Sequence, residues 1–391
     1  MTPQSQPEQI AVRCVLMRGG TSKAMFFHER DVPAPGLKRD RFLMRAMGTP
    51  DVLQIDGLGG SRLVTSKVAI IKKSERPDAD VDYTFAQLDV DRPLVGYDAN
   101  CGNISSAVGP FAIDEGLVDA VEPVTTVRIF NTNTQKMVVA KVQVAGGKAR
   151  VVGDCAIAGV PGTGAEILMD YAGTVGSKTG KLLPTGNPTD VITLEDGRRI
   201  EVTIGDAANP CVFFAARDLG LTGSELPIPI SNDRALIEAI GEIQGKAGAM
   251  IGLYTHWQQQ HLPGLPLAVM VAPAQDYVDV NGDTQRAADM DARERLVFLG
   301  KCHDSMAGAG SMYSGAISRV AGSVLDKVLK PEVARSEWFR IGHPLGVMEV
   351  KVKPHPRPQA QAPQLTFETL SFPRTARRLM QGEVLVPNDF S

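Results

Sequence analysis

No apolar run in this 391-residue chain is long enough to cross a bilayer. The opening MTPQSQPEQI has neither the charged nor the apolar region of a secretory signal. Cysteine is scarce and scattered: five residues, at 14, 101, 155, 211 and 302, form no CxxC pair and no disulfide framework. These absences point to a reducing, cytoplasmic setting. Six dispersed histidines without an HExxH-type cluster give no sign of a metal site. Nucleotide loops are missing too, with neither GxxxxGK[ST] nor a GxGxxG between strand and helix. Nor does charge of one sign dominate. The net charge of −3 and the short basic runs Lys72–Lys73, Arg198–Arg199 and Arg377–Arg378 argue against a nucleic-acid partner.

What is present is an ordinary globular composition, 43% apolar, in a chain long enough for two domains with a core each. Glycine (39) and proline (26) punctuate short β-rich stretches. Strands are expected at Val12–Met17, Lys67–Lys72, Thr126–Phe130, Val138–Val144, Val191–Leu194, Ile200–Ile204, Leu267–Val271 and Met348–Val352. Helices are expected at Arg39–Met47, Ile104–Gly116, Arg234–Gly245, Met290–Leu299 and Met312–Leu329. The two kinds do not alternate regularly, so an α+β architecture fits better than a doubly wound parallel sheet.

A weak internal repeat runs through the chain. Arg18–Asp31 matches Ile204–Asp218, and Lys67–Ile71 lies over Pro266–Met270. Cys101–Gly109 lies over Gly308–Gly315, and Val127–Ile129 over Phe339–Ile341. The four matches keep their order, which favours two similar halves meeting near Leu183–Asn187 over two unrelated domains.

Four segments are rich in small and polar residues: Met17–Lys23, Gly57–Ser61 leading into Thr65–Lys67, Asn100–Ala107, and Gly308–Ser311. A helix that starts on such residues exposes free N–H groups at the positive end of its dipole, a site for a carboxylate. Two such starts facing each other would hold a molecule with carboxylates at both ends. Singly, each loop is more often a tight turn. Cys101 stands at a predicted helix start, where a thiolate is favoured and the sulfur can serve as acid or base. The other cysteines read as small buried hydrophobes. Lys67 opens the apolar strand Val68–Ile71, where desolvation would make it a base. Spacing alone leaves a lysine that snorkels to solvent equally open. Arg18 and Lys23 are candidates for a substrate carboxylate, with surface charge the strong alternative for Lys23. His303 and Asp304 have no nucleophile elbow near them, so a hydrolase triad is a poor reading, and His303 reads as structural.

MRGGTSKAMFF, QIDGLGGSRLVTSKVAII, DVDYTFAQ, NCGNISSAVGPFAIDEGLV, TVRIFNTNT, KLLPTGNPTDVI, RIGHPLG and SFPRTARRLMQGEVLVP resemble the PrpF-like isomerases over nearly the whole chain. The resemblance implies a diaminopimelate-epimerase-like α+β fold with two pseudo-symmetric domains, each a β-barrel-like sheet around a central helix. The domains would be 1–184, completed by a strand from 376–391, and 185–375, with the site in the cleft between them. It implies Lys67 of TSK and Cys101 of NCGN as the acid/base pair, their roles unassigned. It places Ser22, Ser66, Gly102 and Asn103 at substrate-contacting positions. The full candidate binding set adds Arg18, Gly20, Thr21, Gly60, Met306, Ala309, Gly310 and Ser311. Ala309 stands where many relatives carry threonine, which bears on the substrate. No second-half cysteine matches Cys101, which argues against a two-thiol racemase.

The implied reaction is a cofactor-free, metal-free 1,3-shift of a proton and double bond in an unsaturated polycarboxylic acid. The motifs look nearest to 4-oxalomesaconate tautomerases, with 2-methylaconitate isomerase as runner-up and a non-catalytic polycarboxylate-binding accessory protein as third reading. No membrane partner is expected, and a homodimer is the default assembly.

Overall fold

The computed structural model describes residues 7–260, 264–356 and 365–390, so the opening MTPQSQ lies outside the described residues. The first half comprises β1 (Gln9–Gly19), β2 (Ser22–His28), α1 (Leu37–Met47), β3 (Lys67–Lys73), β4 (Val81–Leu88) and the short β5 (Val95–Gly96). It continues with α2 (Gly102–Asp114), β6 (Val124–Asn131), β7 (Lys136–Ala145), the short β8 (Lys148–Ala149) and β9 (Ile167–Asp170). The second half opens with β10 (Asp190–Thr193), β11 (Arg199–Ala207), β12 (Asn209–Ala215), α3 (Pro227–Asn232), α4 (Arg234–Met250) and β13 (Leu267–Pro273). A small pair, β14 (Tyr277–Val278) and β15 (Thr284–Gln285), precedes β16 (Ala292–Phe298), β17 (Lys301–Cys302) and α5 (Gly308–Ile317). The chain ends in β18 (Trp338–His343), β19 (Gly346–Pro354), β20 (Phe367–Arg374) and β21 (Ala376–Pro387).

Strand pairing repeats between the halves. From β1 through β2, β3, β4 and β6 to β7 the ladders run antiparallel, parallel, antiparallel, parallel, antiparallel. From β11 through β12, β13, β16 and β18 to β19 the same alternation recurs. The halves join through β9 and β20, which pair with each other and with β7 and β19 respectively. The final strand, β21, pairs along β1. Even local fastenings recur. The Arg128 guanidinium and backbone N–H bind Asp80, and those of Arg340 bind Asp291 in the same way.

Each half curls around one helix. Along β6, Val127 and Ile129 point inward while Val124, Thr126 and Arg128 face out, the period of two a one-sided strand needs. Nearly all of α2 and the whole of α5 are buried, which explains their runs of Gly, Ala and Ser with a few large apolar residues. Ile104, Val108 and Phe111 are fully buried, each worth about 1.5–3 kcal/mol against exposure. Gly109 lets β7 approach: a Cβ there would lie 2.8 Å from Val142 Cγ2. Gly315 does the same for β19, with Val350 Cγ1 at 2.7 Å. Outside these cores α1 covers β1–β4 through Phe42, Leu43 and Met47, and α4 covers the second half through Ile240 and Ile243.

Two expected helices are corrected. Met290–Leu299 is mostly strand β16, not helix. Its Arg, Glu and Leu favour a helix locally, but the segment lies between β13 and β18 and is buried almost throughout. Met312–Leu329 is not one helix: α5 starts earlier, at Gly308, and stops at Ile317. A helix inside a closed sheet can be only as long as the sheet is tall, and beyond it the chain turns at Gly322 (φ 78°). In the repeat, parallel registers pair Ala24 with Lys67 and Cys211 with Leu267, so Lys67 corresponds to Leu267 rather than Pro266.

Candidate active site

The two central helices meet N-terminus to N-terminus. A Cβ on Gly102 would lie 2.8 Å from Gly308 Cα and C, and one on Gly308 would lie 2.9 Å from Gly102 Cα and C. Neither N-cap residue, Cys101 nor Ala307, caps its helix with a side chain. The first-turn N–H groups of both helices are therefore free to meet an anion where the halves join.

Lys67, the first residue of β3, reaches the same place. It is buried, and its Nζ donates to Oε1 of its cross-strand neighbour Gln87. Gln87 cannot turn its amide round, because its Nε2 donates to the carbonyls of Leu63, Ser66 and Leu88 at 3.2, 3.0 and 3.1 Å. The acceptor offered to Lys67 is thus neutral. Burial, with no carboxylate beside it among the described residues to offset the loss of water, pushes the Lys67 ammonium below its usual range, and the Cys101 sulfur opposes this in part. The Phe85 ring centroid lies 5.3 Å from Nζ.

Lys67, Cys101 and Gly102 line one narrow cleft, open to solvent, with Phe85, Gln87, Asn100, Asn209, Leu267, Phe298, His303 and Ala307 among its other walls. Asn209 grips the residue before Cys101: its Nδ2 donates to Asn100 O and its Oδ1 accepts from Asn100 N, both at 3.0 Å. His303 is buried and stays neutral, its pKa pushed down to about 3 by burial and then by Lys67.

Asn103 joins the remaining pieces. Its Nδ2 donates to Thr21 Oγ1 (3.1 Å) and Met306 O (3.4 Å), and its Oδ1 accepts from Arg374 Nε (3.0 Å). The β1–β2 turn presses against it, and a Cβ on Gly20 would sit 2.2 Å from Asn103 Oδ1. Ser22 is buried beside the turn, its Oγ without a partner among the described residues. Arg18 does not line the cleft; its Nη1 clamps the carbonyls of Gly20 and Thr375 at 2.9 and 2.8 Å. Ser66 Oγ accepts from Gln54 Nε2 at 2.7 Å, and Gly60 packs on Thr65, so both brace the loop before Lys67. Ala309, Gly310 and Ser311 are buried in the first turn of α5, where Ser311 Oγ donates to Gly308 O.

The repeat exposes an asymmetry. Lys67 corresponds to Leu267, and Cys101 to Ala307 rather than Gly308, since Cys101 and Ala307 are the N-cap residues of the two central helices. Gln87, opposite Lys67, corresponds to Phe298, which follows the Ala268–Val297 pair on the β13–β16 ladder. One wall carries the amine, thiol and amide, and the other carries mostly hydrocarbon. Sequence reading missed Gln87, Asn209, Leu267 and Phe298, and it took His303, which also lines the cleft, as structural. The sequence holds a signal for three of them: Gln87 closes the DVDYTFAQ motif, and Asn209 and Leu267 repeat Ser22 and Lys67.

A family model described as PrpF protein matches residues 9–387. The chain belongs to the PrpF family. It is 44% identical to a 3-methylitaconate isomerase of Eubacterium barkeri, over 97% of this chain and 98% of that one. It is 37% identical to a 4-oxalomesaconate tautomerase of Pseudomonas putida and 36% to a 2-methyl-aconitate isomerase of Shewanella oneidensis, each over 97% of this chain and 98% of the relative. A solved methylitaconate-delta-isomerase superposes with a TM-score of 0.77 at 43% identity, covering 98% of this chain and 97% of that one. A hydroxyproline epimerase from Agrobacterium vitis shares the fold, with a TM-score of 0.57 at 14% identity over 98% of this chain and 94% of its own. This PrpF-family protein is an isomerase with the epimerase-like α+β fold. Among its described residues no helix is long and apolar enough to cross a membrane.

Proposed function

We propose that the protein catalyses a cofactor-free 1,3-proton shift in a small unsaturated dicarboxylic acid of the methylitaconate kind. The observation that carries this reading is the shared cleft of Lys67 and Cys101, faced by Leu267, Phe298 and Ala307. The facing helix starts suit two carboxylates, and the apolar wall suits the methyl and methylene carbons between them. The oxygen-rich third arm of 4-oxalomesaconate matches that wall less well, although the sequence motifs look nearest to its tautomerases.

Lys67, as free amine, takes the proton from the carbon α to one carboxylate. The electron pair of that C–H bond spreads onto the carboxylate oxygens and into the neighbouring double bond. The Cys101 thiol gives its proton to the terminal methylene carbon, which becomes a methyl group, and the double bond settles one position along. Proton transfer from the Lys67 ammonium to the Cys101 thiolate restores both groups. General acid–base assistance of this kind contributes about 10²–10⁴-fold.

The test is incubation with 3-methylitaconate, 2-methylaconitate and 4-oxalomesaconate separately in D₂O, followed by proton NMR. Loss of the methylene signals of 3-methylitaconate, with deuterium in the new methyl group, is the expected result. Preferential turnover of another acid would move the substrate assignment to it. Inertness toward all three would end the reading.

A further inference from the structure

Arg374, the last residue of β20, is 4% exposed, and its guanidinium meets no carboxylate among the described residues. Its Nε donates to Asn103 Oδ1 at 3.0 Å, its Nη1 to Pro373 O at 2.9 Å and its Nη2 to the Met348 thioether at 3.5 Å. All three acceptors are neutral. Asp289 and Glu349 border the outer cavity that Arg374 also borders, and both bear on the Arg340 guanidinium there. A buried cation without a counter-charge is costly to the free protein. This one lies directly behind the two helix starts. The guanidinium sits 4.1 Å from the Phe372 ring centroid, and that ring stacks on Tyr171 with centroids 5.6 Å apart. Tyr171 Oη donates to Gly102 O at 3.3 Å, and a Cβ on Gly308 would lie 3.0 Å from Phe372 Cζ. Burial lowers the Arg374 pKa to about 9, with Tyr171, Cys155 and Cys101 opposing the change, so the group keeps its charge at neutral pH.

Resting on the dicarboxylate reading above, we infer that Arg374 is a specificity-determining charge of the site, a buried guanidinium whose counter-ion is the pair of substrate carboxylates held at the helix starts in front of it. Arg374 does not line the cleft, so it acts through its field and not by contact. The free N–H groups of the helix starts receive each carboxylate whatever the total charge of the ligand. The field of a fixed cation scales with that total, so it favours a dianion over a monoanion of the same shape. The aromatic rings beside the guanidinium keep water from screening it. Its hydrogen bond to Asn103 ties the charge to the first turn of α2, beside Gly102 and Cys101. His343, also buried, adds no second charge, because burial and then Arg374 push its pKa down to about 3.

The test measures binding of methylsuccinate, a dianion that cannot isomerise, and of its monoamide, by calorimetry at pH 7. The proteins are wild type, Arg374→Gln, Arg374→Met and Arg374→Lys. Removing the charge should weaken binding by about threefold for each charge on the ligand, hence about tenfold for methylsuccinate and about threefold for the monoamide. Arg374→Lys, which keeps the charge, should bind methylsuccinate within about threefold of wild type. With 3-methylitaconate as substrate, the loss in Arg374→Gln should appear in KM more than in kcat. Arg374→Met gives the same comparison should the Gln variant not fold. Three results would overturn the assignment: an uncharged variant that binds methylsuccinate as wild type does, one that loses the same factor for both ligands, or a Lys variant as weak as Gln. Equal losses are what a merely structural role would give. Wild type that binds methylsuccinate no more tightly than the monoamide would overturn it as well. Wild type that selects the dianion through Arg374 yet turns over none of the three acids would instead remove the isomerase reading and leave this assignment standing.

Discussion

Gly102→Ala places a methyl group where the two central helices touch. The new carbon would sit 2.8 Å from Gly308 Cα and C and 2.9 Å from Ala309 N. Ordinary contact begins near 3.4 Å, so the helix starts must part by roughly 0.5–1 Å. The obstructing atoms are all backbone of a fully buried helix, and no side chain can swing aside. Overpacking of this kind costs about 1–3 kcal/mol. A displacement near 1 Å at a reacting centre costs about 10²-fold in rate. The expected variant is folded, with a lower melting temperature and kcat down by about two orders of magnitude. Gly109→Ala is the control. Its methyl would meet Val142 Cγ2 at 2.8 Å, on the flank of α2 and away from the cleft. It should lose comparable stability while keeping kcat within a few-fold. Turnover by NMR and melting by circular dichroism on both proteins decide the matter. A Gly102→Ala enzyme with wild-type kcat, or a Gly109→Ala enzyme equally slow, would refute the claim that the helix junction sets the site geometry.

Four further outcomes can be measured. Lys67→Arg keeps the cation but cannot release a proton near neutrality, so kcat should fall by about 10²–10⁴-fold, and a loss below tenfold would remove Lys67 as the base. Because burial lowers the Lys67 pKa, wild-type kcat/KM should rise with pH through a midpoint below the ordinary 10.5 and be lost as pH falls through it; a rise centred at 10.5 contradicts this. Gln87→Leu strips the Lys67 amine of its acceptor and leaves three carbonyls without their donor, which should cost about 1–3 kcal/mol in denaturant unfolding as well as kcat; unchanged stability would show that Gln87 is not the brace. Glu294, buried in the second-half core with one carboxylate oxygen unpartnered, has its pKa raised to about 8. Its protonated form is stabilising below the unfolded value of 4.5, and that contribution is lost as pH rises through about 8, so Glu294→Gln should raise the melting temperature more at pH 9 than at pH 5. An equal difference at both pH values would show that this carboxyl is not the group titrating.

The strands legible in the sequence were those whose own residues decide the matter. Thr126–Phe130 and Val138–Val144 carry the β-branched alternation of a sheet packed on one face, and they fold as β6 and β7. Segment Met290–Leu299 was illegible for the opposite reason. Its local preference is helical, and only the β13 and β18 ladders, more than ten residues away in the chain, make it a strand. The same distinction runs through the site. Lys67, Cys101 and the small residues behind them are concentrated in short motifs, and the cleft contains the first two. Gln87 becomes meaningful only once strand register sets it opposite Lys67. His303 becomes meaningful only once Arg62, Thr21 and Asn103 pin its segment across the junction of the halves. No spacing rule contains those contacts, because they join residues 20 to 284 positions apart.

The duplicated architecture therefore presents unequal side chains on equal geometry. Both halves bring a helix start, a strand start and a hairpin to the junction, and backbone N–H groups from both sides can hold a two-ended anion. Side chains then break the symmetry at the cleft, with Lys67 against Leu267, Gln87 against Phe298 and Cys101 against Ala307. A reaction that inverts a carbon needs a titratable group on each wall, one to remove the proton and one to replace it from the other face. A proton shift along an allylic unit has no such need. The second-half wall, with Leu267, Phe298 and Ala307, can hold the hydrocarbon. On the proposed reading, removal and return of the proton then occur on the same face of the substrate, the one turned toward the first half. Chirally deuterated 3-methylitaconate analogues would report this directly, and transfer to the opposite face would require a second acid or base from the second-half wall, where His303 is the one titratable side chain among the described lining residues.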